Sequence, residues 1–240
     1  MSPKADNYVI INNEPHVHVT HVIQTLHKWG LIDGAVNVAV DFLAGNIDEQ
    51  NIHNLEIWKE SRTKYKEDWD GKAEIGQIVH ALNASFLRKE KGMPLPPVDE
   101  ITNPYYAFTK FCESYDVRPL AIEESVHHTI KRNGITLRCA GRLDLLADIK
   151  EPGWRKHRRY VLDYKISPRI YPEDIIQVAV YRWFYMKMTG TYIDGAANLR
   201  LDRDKIKYQF KPYTKARLRW AYSRFIDLLS YWIKTNERRP

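Results

Sequence analysis

The pattern of apolar and polar positions divides the chain into a helical first third and a mixed remainder. Helical spacing runs from about Thr20 to Leu87, followed by a Pro-rich connector at Met93-Pro-Leu-Pro-Pro97 and a short helix over Pro104 to Tyr115. β-Favouring runs then cover about Leu120–Ile130, Ile135–Ile149 and Arg159–Ile166. Pro172, followed by Glu173 and Asp174, signals a helix start, and Ile175 to Met188 contains neither Gly nor Pro. Two more strands are expected near Ile193–Leu201 and Ile206–Lys211, before a last helix capped by Thr214 and running toward Lys234. This order predicts an α/β fold: a central mixed β-sheet flanked by helices on both faces, with a helical N-terminal region. At 240 residues one domain is expected, about 15–95 forming the helical subregion and about 100–240 the core.

Several charged residues interrupt this pattern where they need a reason. Acid-x-Lys occurs at Asp70-Gly-Lys72, Asp148-Ile-Lys150 and Asp163-Tyr-Lys165. The first reads as a turn or helix start beside its Gly, and the second runs out into the turn signal Glu151-Pro-Gly153. Only the third lies inside a β-favouring run, Tyr160-Val-Leu-Asp-Tyr-Lys-Ile166, where alternation puts Asp163 and Lys165 on one side and Tyr164 on the other. A carboxylate and an ammonium on such a strand are costly unless paired or ligating a metal. Asp144, between Leu143 and Leu145 on the preceding strand, poses the same question. The hairpin-type segment Glu151–Arg159 makes these strands adjacent and antiparallel, so Asp144 is expected beside Asp163, about 5 Å away. Carboxylates that close repel each other unless a cation stands between them, the logic of a hard-metal site. On the helix that follows, Gln177 and Tyr181 are four residues apart and share a face.

Gly141-Arg-Leu-Asp144, Asp163-Tyr-Lys165 and Gln177-Val-Ala-Val-Tyr181, in this order, resemble the PD-(D/E)XK nuclease superfamily. The Gln-x-x-x-Tyr helix resembles the branch of RecB-type nuclease domains, phage recombination exonucleases and CRISPR-associated iron–sulfur nucleases. Three upstream pieces are similar to the same branch: Ala73-Glu-Ile-Gly-Gln-Ile-Val-His80, Leu120-Ala-Ile-Glu-Glu-Ser-Val126 and Val17-His-Val-Thr-His-Val-Ile-Gln-Thr-Leu26.

The resemblance implies a restriction-endonuclease-like core and a divalent-metal-dependent DNA nuclease, an exonuclease of the phage recombination, repair or replication type. A structure-selective endonuclease, or a catalytically silent nucleic-acid-binding subunit, would stand on the same fold. Asp144 and Asp163 would be metal-binding carboxylates, with the backbone carbonyl of Tyr164 and His80 as further ligands. Lys165 would position the attacking water or steady charge on the phosphate. Gln177 and Tyr181 would orient the catalytic strand or the DNA backbone. Glu123 or Glu124 would complete the set; alternation lets only one face the site, and spacing to Val126 favours Glu123. Oxygen ligands suit Mg²⁺, and an added imidazole suits Mn²⁺.

Composition narrows the partners. Residues 200–240 hold 12 Lys/Arg against 4 Asp/Glu, a net of +8, while the remaining residues carry 25 against 26. A basic face of this kind, including Lys215, Arg217 and Arg219, suits a phosphate backbone. A second basic cluster, Trp154-Arg155-Lys156-His157-Arg158-Arg159, is placed on the hairpin, where Trp154 could stack on a base. The expected partner is DNA, as linear duplex or single strand, and the expected assembly a homo-oligomer or a complex with a recombination or helicase protein. No Gly-x-x-x-x-Gly-Lys-Ser/Thr loop is present, so use of ATP would need such a partner. The two cysteines, Cys112 and Cys139, are too few for a four-cysteine iron–sulfur cluster and read as small core residues. No apolar run reaches about 18 residues, so no membrane span is expected. The opening Met1–Ile10 has no signal core, which points to an intracellular protein, in a host cytoplasm if phage-encoded.

Overall fold

The structure, a computed structural model, describes residues 8–26, 29–48, 50–90, 94–132 and 134–236. It falls into two compact units, Met1–Leu26 with Val79–Pro240, and His27–Ile78. The smaller unit holds helix α2 (Trp29–Asn46) and most of α3 (Leu55–Arg88). Helix α3 runs uninterrupted through Asp70-Gly71, where a turn or helix start was expected. A single Gly costs a helix only about 1 kcal/mol, too little to break one this long.

The larger unit is built on one seven-stranded mixed sheet ordered β1-β2-β4-β5-β6-β7, with β3 also pairing β4. Its N-terminal hairpin, β1 (Tyr8–Ile11) and β2 (Glu14–His18), leads into a one-turn helix α1 (Val19–Ile23). The stretch Val17–Leu26, which resembled a helix start, carries α1, with Val17 and His18 still on β2. Helix α4 (Asp99–Ser114) begins at Asp99, five residues before the expected Pro104. Asp99 and Glu100 in the first turn complement the helix dipole. Pro104, inside the helix, is buried with Ile101, Ala107, Phe108 and Phe111, and this packing offsets its missing N–H. Met93, which opens the expected Pro-rich connector, lies outside the described residues.

Strands β3 (Arg118–Arg132) and β4 (Ile135–Ile149) form a long antiparallel hairpin. Then come β5 (Arg158–Lys165), α5 (Asp174–Thr189), β6 (Gly195–Leu201), β7 (Tyr208–Pro212) and α6 (Lys215–Asn236). Helix α5 starts two residues after Pro172 and ends at Gly190 in the left-handed region, φ 71°. Thr214 caps α6 as expected: its hydroxyl accepts the Arg217 N–H at 3.2 Å.

Because β3 covers one edge of β4 from end to end, β2 and β5 share the other. β2 runs parallel to β4 at Cys139 and Ala140, and β5 runs antiparallel to it from Leu145 to Ile149. The stretch Gly141–Asp144 falls in the fork between them. Helices α5 and α6 cover one face with a core that includes Phe184, Phe225 and Leu229. On the other face α4 sends Phe108 against Tyr164, ring centroids 5.0 Å apart, and Phe111 against Phe210.

Candidate metal centre and its surroundings

The fork explains two residues of the Gly-x-x-Asp segment. A Cβ on Gly141 would lie 2.5 Å from the Cε1 atom of Tyr181, so only glycine lets the buried α5 tyrosine come this close to β4. Past the last β4–β5 pair, Leu145 with Leu162, the same register sets Asp144 opposite Asp163. There the ladder stops, and the Asp144 Oδ2 atom accepts the Tyr164 backbone N–H at 2.7 Å. The carboxylate supplies the acceptor that the opened strand would otherwise lack.

Three potential ligands converge at this point: one atom each of His80, Glu123 and Asp144, all within 4.8 Å of one another. His80 comes from the end of α3 that belongs to the larger unit, and its Nδ1 stands 3.5 Å from Asp144 Oδ1 and 3.7 Å from Glu123 Oε1. Glu123 lies across from Asp144, between the pairs Ile122–Leu145 and Glu124–Leu143. Its backbone sits at φ 53°, a left-handed conformation costing about 1–3 kcal/mol for a non-glycine residue. Glu123 faces the site while Glu124 is exposed. Arg142 Nε holds Glu123 Oε2 at 2.8 Å, whereas Oε1 is buried without a hydrogen-bond partner and is aimed at the group.

An acceptor left over in this way, beside a second carboxylate and an imidazole, fits a divalent cation. The electrostatics agree. Burial alone would lower the His80 pKa, but the neighbouring carboxylates, Asp144 first and then Glu123, push it up to about 10. Burial raises Asp144, and the His80 charge, its hydrogen bond and the Tyr164 N–H more than reverse this, so the carboxyl stays below its ordinary value. The cluster is rich in negative charge and holds whatever positive charge is offered.

Asp163 does not join these three ligands. It is 1% exposed, and its Oδ2 accepts from Lys165 Nζ at 2.9 Å and from Asn198 Nδ2 at 2.7 Å. Burial lifts its pKa to about 7, against the opposing Lys165 charge and helped by Asp144. Lys165 also donates to Gln177 Oε1 at 3.0 Å and lies 3.7 Å from Asp174 Oδ1. Gln177 Nε2 in turn donates to the Tyr181 hydroxyl at 3.2 Å. The helical spacing of Gln177 and Tyr181 therefore builds a bracket for Lys165. Asn198 and Tyr213 were not singled out from sequence, and Asp174 was read only as part of a helix start. Asn198 carried a legible signal, a polar residue inside the apolar run Gly195-Ala-Ala-Asn-Leu199.

A cleft of about 530 Å³ opens beside His80 and Asp144, lined by Ala140, Gly141 and Arg142 and by Val9, His18 and Thr20 of the N-terminal segment. The basic residues lie in different environments. Arg159 is bound to Asp148 through Nε at 2.9 Å and Nη2 at 3.1 Å, and its backbone N–H donates to Asp194. Arg158 covers the Trp154 ring at 4.3 Å. Arg155 and Lys156 are exposed at the hairpin, past Ile149 and therefore roughly 17 Å or more along β4 from Asp144. On α6, Lys215 reaches the Tyr192 hydroxyl at 2.7 Å, Arg217 covers Trp220 at 4.3 Å, and Arg219 is exposed.

Cys139 is buried and its thiol donates to the Val17 carbonyl at 3.0 Å. Burial pushes the Cys112 thiol up to about 12. Both cysteines behave as uncharged packing groups. Among the described residues, no helix is long and apolar enough to cross a membrane.

No protein-family model matches the sequence, and no curated protein matches it. Among solved structures, one described as the crystal structure of SSO0001 aligns with a TM-score of 0.40 at 14% identity, covering 91% of this chain and 78% of that one. A likeness at that level has no bearing on activity.

Proposed function

We propose that the chain is a divalent-metal-dependent DNA nuclease with a PD-(D/E)XK-type site, acting as an exonuclease of the phage recombination or replication type inside a cell. The observation that carries this reading is the meeting of His80, Glu123 and Asp144 at the β4–β5 fork, one register step from Asp163 and Lys165. His80, Glu123 and Asp144 would hold Mg²⁺ or Mn²⁺. When bound, the ion supplies Lewis acidity and a water of lowered pKa.

The remaining work falls to the chain's own groups. Lys165, held by Asp163, Gln177 and Asp174 and 19% exposed at its side chain, is a fixed cation set to steady negative charge developing on a phosphate. Its fixed position matters because a preorganised donor needs no reorientation during reaction. Gln177 orients Lys165, and Tyr181 orients Gln177, so neither handles a proton. Arg142 anchors Glu123 by one oxygen and keeps the other turned toward His80. The exposed cations of α6 and of the 155–156 turn would bind the phosphate backbone nonspecifically.

The test is digestion of end-labelled linear DNA and closed-circular DNA with Mg²⁺, Mn²⁺ or EDTA, with Asp163→Ala beside the wild type. The expected outcome is metal-dependent loss of linear DNA alone, absent in the variant. Cutting of the circle would assign an endonuclease instead. Binding without cutting under every metal would overturn the nuclease reading.

A further inference from the structure

Asn198 and Tyr213 form a hydrogen-bonded line that ends on the Asp163 carboxylate. Asn198 pairs with Asp163 in the parallel β5–β6 register and is completely buried. Its Nδ2 donates to Asp163 Oδ2 at 2.7 Å, and its Oδ1 accepts the Tyr213 hydroxyl at 2.7 Å. Tyr213 joins the end of β7 to the Thr214 cap of α6, and its backbone N–H donates to the Ala196 carbonyl at 3.1 Å.

A primary amide in an apolar strand is destabilising unless both its ends are bonded, and here both are. Shape alone would not decide which way the amide faces. Turned round, it would set its carbonyl oxygen against the carboxylate. The carboxylate, which only accepts, selects the orientation that presents N–H to Asp163, and the Tyr213 hydroxyl, donating to Oδ1, holds the amide in it. Asn198 and Lys165 then grip the same oxygen, Oδ2, from two sides and fix the carboxylate's rotation.

We propose that Asn198 and Tyr213 are positioning residues for the cleavage reaction: Tyr213 orients Asn198, and Asn198 sets the Asp163 carboxylate that holds Lys165. The proposal rests on the nuclease reading for its consequence in rate, and on geometry alone for the line itself. Since Tyr213 leads directly into α6, the line also joins the basic C-terminal helix to the site.

The test is a double-mutant cycle with Tyr213→Phe, Asn198→Ala and both, measuring kcat and KM on linear DNA with thermal midpoints alongside. Expected are kcat losses of about tenfold for Tyr213→Phe and about a hundredfold for Asn198→Ala, the range of a hydrogen bond to a charged group. KM should stay within about twofold, and the double variant should match Asn198→Ala, because Tyr213 acts only through Asn198. Losses that multiply, an unchanged kcat, or a change confined to KM would overturn the proposal. If Asn198→Ala does not fold, Tyr213→Phe, which removes one oxygen, is read with side-chain amide NMR. The Asn198 amide protons should exchange slowly in the wild type and much faster in Tyr213→Phe; exchange at the solvent rate in the wild type sinks the line. This readout stands even if the wild type cuts no DNA, an outcome that would remove the nuclease reading and leave the hydrogen-bonded line to be judged separately.

Discussion

Asp144 and Tyr164 are joined by a hydrogen bond in which a side chain replaces a strand: the carboxylate of β4 accepts the backbone N–H of β5 at 2.7 Å where the two strands part. One Asp144 oxygen thereby stabilises the fork while the other, Oδ1, faces His80. The same residue opens the sheet and places a potential ligand atom at the opening.

Asp144→Asn separates these roles. The amide oxygen can still accept the Tyr164 N–H, so the fold should persist, but the ligand charge is lost. Calorimetric titration with Mn²⁺ is expected to show at least about tenfold weaker binding, since ligand charge governs affinity at oxygen sites. Affinity equal to the wild type would place the ion elsewhere.

Metal should also stabilise the folded chain. At about 100 times its dissociation constant a ligand adds about 2.7 kcal/mol, and each kcal/mol moves the midpoint of a chain this size by about 2–4 °C. The midpoint is expected to rise with Mn²⁺, return with EDTA, and fail to rise in Glu123→Gln or His80→Ala. A rise preserved in both variants would exclude the three-ligand group.

Asp163→Asn is the cleaner probe of the part proposed for β5. Removing a carboxylate that is 1% exposed leaves Lys165 with Gln177 and Asp174, so the side-chain volume must be kept to protect the fold. Loss of cutting by about a hundredfold or more is expected, with far-ultraviolet dichroism unchanged. Full activity would remove Asp163 from the reaction. Lys165→Ala should also stop cutting, although it strips Asp163 and Asp174 of a shared cation and should unfold more readily.

Gly141→Ala forces a choice between β4 and Tyr181. The added carbon at 2.5 Å must displace a ring that is buried, at an overpacking cost of about 1–3 kcal/mol. A lower thermal midpoint and a lower kcat are expected together, because the ring also holds Gln177. An unchanged midpoint would mean that the fork yields easily to an added methyl group.

The basic residues should divide by their partners. Arg217→Glu and Arg219→Glu are expected to weaken DNA binding and to reduce the slope of log K against log salt by about one for each phosphate that is no longer neutralised. Arg159→Ala, whose guanidinium is engaged by Asp148, should lower stability and leave that slope alone. Equal slopes for all three variants would take α6 out of the DNA-binding surface.

What the sequence by itself determined is what contiguous residues encode. Strands β3 to β5, the helix carrying Gln177 and Tyr181, and the mixed sheet flanked by helices follow from local periodicity, turn chemistry and a hairpin-length connection. The same local signals set Asp144 opposite Asp163, since a hairpin fixes its own register. Tertiary structure alone decided the rest. The insertion of β2 along β4 depends on pairing Val17 with Cys139, more than a hundred residues away, and a five-residue strand carries no pattern that names so distant a partner. That pairing creates the fork. The left-handed backbone of Glu123 and the line from Tyr213 to Asp163 likewise depend on neighbours supplied by the fold. A residue type limits the chemistry available to it. Its partners, and with them its charge and orientation, are set only when distant segments are brought together.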